Sequence, residues 1–258
     1  MAVDELSDDE ALAMKEALRL SRAGDIGAAG RIFHTVIKSN NQNPSIFWII
    51  GNEHSNHRMH EKAIAYFRRA IELDERCMPA WGCLGRDLMD LGRWDEAEVA
   101  LRRRLELGES ANHYVFLAMV LLEQSRHEDA ISCCERALQL NDHQVDALTM
   151  QGFAYSLLGF HEKAVEACRR AIALDDQYDD AHTCLGVVLS RANQLDEASN
   201  AFQRALDINP QYAPAYREFG KLQHLKGDPA LAESYLRSAD ELDREQGING
   251  DGRNIDLG

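Results

Sequence analysis

The sequence predicts an all-α solenoid of stacked antiparallel helix pairs, and three observations carry that prediction. Ala63, Ala97, Ala130, Ala164 and Ala198 recur at steps of 34, 33, 34 and 34 residues. Twelve residues before each of them stands another small residue: Gly51, Gly85, Ala118, Gly152 and Gly186. With 17 glycines and 5 prolines in 258 residues, the chain also lacks the turn residues that an all-β fold of this length needs.

The repeat has a physical reading. A glycine or alanine on the first helix of a pair lets the second helix approach closely, and the alanine on the second helix completes the contact. Bulky residues fill the space beside them: Phe47, Trp81, Tyr114, Leu148, His182 and Tyr216 open successive units. Seven residues after each alanine stand Ala70, Arg104, Ala137, Ala171 and Ala205. One pair cannot bury its own apolar face, so pairs stack and share a continuous core.

These positions resemble the tetratricopeptide repeat family, whose 34-residue pattern places Trp, Leu, Gly, Tyr, Ala, Phe, Ala and Pro in order. Trp81, Leu84, Gly85, Gly92 and Ala97 form one copy; Leu185, Gly186, Ala198, Phe202, Ala205 and Pro210 form another. The resemblance implies a right-handed superhelix of seven repeats, beginning near Glu10, Pro44, Met78, Ala111, Val145, Asp179 and Ala213. It covers residues 10–246. Residues 1–9 read as a short acidic tail and helix start, and 247–258 as a disordered polar tail. The first repeat is degenerate, with Ala17 in the glycine place. The third is one residue short and carries Arg104 where a small side chain belongs; its aliphatic stem is expected to run outward to water.

Ser7 and Glu10 have the spacing of a capping box, so a helix should start near Asp8. At the other end no extra capping helix is visible. The last repeat must close the stack with Arg237, Asp240, Glu241 and Arg244, or leave a surface for self-association.

Composition limits the partners. Acids outnumber bases 43 to 28, for a net charge of −15, which disfavours nucleic acid and anionic membrane surfaces. The N-terminal decapeptide is acidic with no apolar run, unlike a signal peptide. No stretch is long enough to span a bilayer. The expected setting is cytoplasmic. The six cysteines contain no CxxC pair and read as small buried hydrophobes of a reducing compartment. No cofactor motif, phosphate-binding glycine loop, nucleophile elbow or HExxH is present, and an enzyme is not expected.

In this family the first helices line the concave face, and the resemblance carries that role to specific positions here. The second and third repeats contribute Trp48, Ile49, Asn52, Arg86 and Met89, with Cys83 between them. The fourth contributes Val115, Phe116, Met119 and Leu122, and the fifth Met150, Phe153 and Leu157. The sixth adds Val187 and Cys184; the seventh adds Arg217, Glu218, Lys221 and His224. The middle of this surface is apolar and its last repeat is charged. Two readings stand: a groove for a peptide or amphipathic helix of a partner protein, or packing between neighbouring first helices. In the first the protein is an adaptor, scaffold or chaperone-like module; its alternative is a self-assembling scaffold. The tail, through Ile248, Ile255 and Leu257, could also fill such a groove. The carboxylate clamp of some family members does not match, since Lys15, Asn52 and Arg86 stand at the wrong repeat positions.

Two periodic features need separate weighing. Arg69, Arg103, Arg136, Arg170 and Arg204 share one repeat position, with Glu72, Glu106 and Asp207 three residues after three of them. Helical ion pairing is the expected use. His54, His57 and His60 have metal-ligand spacing, yet His60, His127 and His161 recur at one repeat place, which points to packing; no metal is expected there.

Overall fold

The computed structural model describes residues 6–245, and every regular element among them is an α-helix. Two compact units divide the chain, 1–109 and 110–258. The first holds α1 (Asp8–Arg22), α2 (Ile26–Ser39), α3 (Pro44–Asn56), α4 (His60–Leu73), α5 (Met78–Asp90) and α6 (Trp94–Leu107). The second holds α7 (Ala111–Glu123), α8 (His127–Leu140), α9 (Val145–Leu157), α10 (His161–Leu174), α11 (Asp179–Arg191), α12 (Leu195–Ile208), α13 (Ala213–Leu225) and α14 (Pro229–Glu245). The pairing and the register are those of the repeat. The expected tail 247–258, with Ile248, Ile255 and Leu257, lies outside the described residues.

Local signals set the helix ends. Ser7 accepts from the Glu10 backbone N–H while Glu10 reaches back to the Ser7 N–H, closing the predicted capping box. Asp25 caps α2 with a single bond, its carboxylate accepting from the Ala28 N–H. Within each pair the chain reverses through one residue in the left-handed region: Gly24, Arg58, Gly92, Ser125, Gly159, Asn193 and Gly227. The residue after it donates its N–H to a carbonyl five positions back, as Arg93 does to Leu88 and Phe160 to Tyr155. That bond satisfies a helix-end carbonyl that would otherwise be left bare.

Close approach inside the pairs explains the small residues. A methyl group built on Gly51 would stand 2.7 Å from Phe67, and one on Gly186 2.6 Å from Phe202. Gly85 faces Leu101, Gly152 faces Cys168 and Gly220 faces Leu236. The residue opposite is always sixteen positions on. Where Ala118 replaces glycine, the residue sixteen on is the small Cys134, so volume is exchanged across the seam rather than added. Phe67 and Phe202 are almost fully buried at the centres of their pairs.

Arg104 departs from expectation. It is half-buried and folds back to donate to the Gly108 carbonyl at 2.6 Å, capping the end of α6 instead of reaching outward. The missing residue in this repeat leaves that carbonyl within the guanidinium's reach.

Candidate interaction surface

From the second pair on, the first helices of successive pairs inside a unit touch one another: α3 meets α5, and α7, α9, α11 and α13 pack in series. The second helices make no comparable contact with each other. First helices therefore stand closer together, and their free faces form a row on the tighter side of the stack.

In the first unit this row carries Trp48, Ile49, Asn52, Cys83, Arg86 and Met89. The Cys83 thiol lies 3.9 Å from Asn52 Oδ1, and Arg86 donates to Ser55 Oγ at 3.4 Å. Burial pushes the Cys83 thiol up. Trp48 Nε1 is buried beside that thiol, and its N–H partly offsets the effect of burial on Cys83. Met89 and Ile49 are half-exposed.

In the second unit the predicted surface residues separate into two groups. Val115, Leu122, Phe153 and Val187 are buried, each no more than 5% exposed, and hold the stack together. Cys184 is buried too, its sulfur 3.3 Å from that of Cys168 with both thiols free. Phe116, Met119, Met150 and Leu157 remain partly exposed on α7 and α9. Phe116 meets His113 edge-to-face at 5.9 Å. On α13 the charges are already engaged: Arg217 donates to Asp243, and Lys221 lies 3.0 Å from Glu218.

A polar ladder runs along the starts of the first helices in this unit. Gln144 donates to Asn112, Tyr178 to Asp146 and Tyr212 to Asp180, each across 32 residues, and Asn209 donates to Asp179. Burial first, then the neighbouring Asp179 carboxylate, push Asp180 up to about 6. The sign follows from linkage. A carboxyl whose folded pKa lies above its unfolded value of 3.8 holds its proton better when folded. Its contribution to stability is therefore lost as pH rises through about 4 to 6, by up to about 3 kcal/mol. Asp180→Asn keeps an acceptor for Tyr212 and removes the charge. Urea unfolding at pH 4.5 and 7.5 should show a smaller loss between the two pH values for the variant than for the wild type; an equal loss would remove Asp180 from the account.

The histidine run does not converge. His54 Nδ1 bonds the Ile50 carbonyl and its ring lies against Tyr66. His57 Nε2 meets Ser21 Oγ at 2.7 Å and Glu53 at 3.4 Å. Serine and carboxylate approach the same nitrogen, so Glu53 cannot orient the ring from behind as a catalytic relay requires. His60 turns to the next pair. The arginine stripe behaves as expected where Arg69 pairs with Glu72 and Arg103 with Glu106; at its end Asp207 accepts from Gln203 instead.

One surface feature was not anticipated from the sequence. Ile71, Trp81, Leu84, Leu88 and Val99 line a depression bounded by α4, α5 and α6, with Arg68 and Glu96 paired at its rim. Val99 is 65% exposed. A signal existed: the same repeat place holds Ala65, Ser132, Glu166 and Asn200, so a valine there puts apolar surface on an otherwise polar face.

No helix among the described residues is long and apolar enough to cross a membrane. Residues 7–240 match the family model of the cilia and flagella-associated protein 70 C-terminal domain. Anaphase-promoting complex subunit 8 of Arabidopsis thaliana is 34% identical over 64 residues, 25% of this chain and 11% of that protein. The chain thus aligns with only about a tenth of that relative. Among solved structures, a tetratricopeptide repeat protein from Parabacteroides merdae superposes with a TM-score of 0.82 at 11% identity, covering 94% of this chain and 96% of that one. YrrB, described as a tetratricopeptide repeat protein with an unusual peptide-binding site, gives 0.57 at 23% identity over 71% of this chain and 95% of its own. At these identities the two structures speak for the fold.

Proposed function

The chain belongs to the cilia and flagella-associated protein 70 C-terminal domain family, a tetratricopeptide repeat family, and on that footing we propose that it is a non-catalytic scaffold holding a peptide or helix of a partner protein against its first helices. The observation that carries this reading is the row of half-exposed apolar side chains on α7 and α9: Phe116, Met119, Met150 and Leu157. A repeat array can bury these in its core, as it does Phe153, yet leaves them at the surface. Methionine suits such a surface, because its unbranched thioether repacks around different shapes. The ion-paired α13 would orient the bound segment more than it would hold it. The peptide-binding site in YrrB's description supports the use of this fold for such a task.

The test is selection of binding peptides from a displayed random library on wild type and on Phe116→Asp with Met119→Asp. Both side chains are partly exposed, so far-UV circular dichroism should stay unchanged. Phe153 is left alone because it is buried. The wild type should enrich apolar or amphipathic peptides whose binding the double variant weakens at least about tenfold, matching the roughly 1.5–3 kcal/mol carried by a buried apolar side chain. Equal enrichment on both proteins would move the site elsewhere, the Val99 depression first. Enrichment on neither, with dimers in the ultracentrifuge that Leu225→Glu abolishes, would favour self-assembly through the last pair, where Leu225 is 67% exposed.

A further inference from the structure

We infer that His60, Asp87 and Asp90 form a divalent transition-metal site joining the second and third helix pairs. The three side chains come from two elements that the fold presses together, α4 and α5. His60 Nδ1 stands 2.6 Å from Asp87 Oδ1 and 3.6 Å from Asp90 Oδ2. One donor atom from each of the three lies within 4.8 Å of the others. A cation about 2.0–2.2 Å from imidazole nitrogen and carboxylate oxygen needs donors about 3–4 Å apart, so small side-chain rotations complete the set.

The ion-pair reading leaves one feature unexplained. Asp87 is fully buried, and its second oxygen, Oδ2, has no hydrogen-bond partner. A buried carboxylate is expensive unless its oxygens are met, and the single imidazole meets only one. A cation would engage the carboxylate fully. Asp90 is exposed and gives the ion a way in from water. Arg58 and Arg86 act on Asp90 as nearby positive charges; they set an upper limit on affinity without occupying the donors.

Comparison among repeats strengthens the case. His127 and His161 stand at the same repeat place as His60, and their Nδ1 atoms are buried without partners. The places corresponding to Asp87 and Asp90 hold Ala154 and Leu157 for the first and Val188 and Arg191 for the second. Two acids coincide with the histidine only at the second junction. One nitrogen and two carboxylates, with room for water, suit zinc, cobalt or manganese; calcium prefers an all-oxygen shell.

The test is titration of the full chain, purified without a metal-binding tag and stripped with chelator, by cobalt(II). The wild type should take up one equivalent with visible d–d absorption, release it to zinc, and melt at a higher temperature with zinc than without. His60→Gln and Asp90→Asn should each weaken cobalt binding at least about tenfold, a loss already produced by removing a ligand's supporting partner. His127→Gln should bind as the wild type does. Circular dichroism of the metal-free variants separates lost binding from lost folding, and the exposed Asp90 makes its variant the safe one. Any of three results would overturn the site: no d–d absorption, thiolate charge-transfer bands that put a cysteine on the metal, or wild-type cobalt affinity in both folded ligand variants.

Discussion

Phe202→Ala is expected to lower the free energy of unfolding by about 3–5 kcal/mol, measured by urea unfolding followed by far-UV circular dichroism. The side chain is 1% exposed. Its ring stacks at 5.6 Å on Phe219, which stacks at 4.4 Å on Tyr235, so one truncation removes the most deeply buried end of a three-ring column across the last two pairs. The neighbouring surface cannot collapse easily, because Gly186 on the facing helix has no side chain to move in. A second substitution checks the geometry. Gly186→Val in the Phe202→Ala background should cost less than Gly186→Val alone, since the ring that a Cβ would strike at 2.6 Å is gone. Additive costs would show that the two residues do not share the space ascribed to them.

Gly152→Val should be as damaging, at about 3 kcal/mol or more, for a different reason. A Cβ there meets Cys168 Sγ at 2.6 Å and also the Ala164 carbonyl oxygen at 3.1 Å. The first neighbour is a side chain and can be shaved; the second is helix backbone and cannot. Cys168→Ala should therefore rescue Gly152→Val only in part, whereas full rescue would mean that α10 shifts freely against α9. The expected loss lies at the upper end for overpacked cores.

The two positions show what the sequence discloses well. Small residues at a constant step of 33 or 34 reveal the pairs, their register and the seams between them, because close helix approach admits few side chains and each repeat meets the same demand. Ser7 and Glu10 disclose their cap for the same local reason. The left-handed turns are half disclosed: Gly24, Gly92, Gly159 and Gly227 mark them, while Arg58, Ser125 and Asn193 adopt the same conformation with side chains that give little warning. Residues that meet across a repeat junction are the hardest to foresee. Met119 and Phe153 share one repeat place, 34 residues apart, yet the first stays partly exposed and the second is buried, because the neighbouring pair decides how much of each is covered. Asp87 and His60 are 27 residues apart, and neither is unusual alone. Arg104 shows the same limit, since its destination depends on a loop shortened by one residue.

The polar ladder has a direction. Its three 32-residue rungs take their donor from the residue that caps the start of a first helix and their acceptor from the second residue of the preceding first helix, as Tyr178 with Asp146 and Tyr212 with Asp180 show. A segment running from Tyr178 to Gln211 thus carries a donor for the repeat before it and an acceptor for the repeat after it. Copied in tandem, such a segment would arrive with both halves of its joint already matched to its parent. Lengthening by gene duplication then needs no simultaneous change at the new boundary, and the array can grow in whole repeats while the bonds between them stay complete.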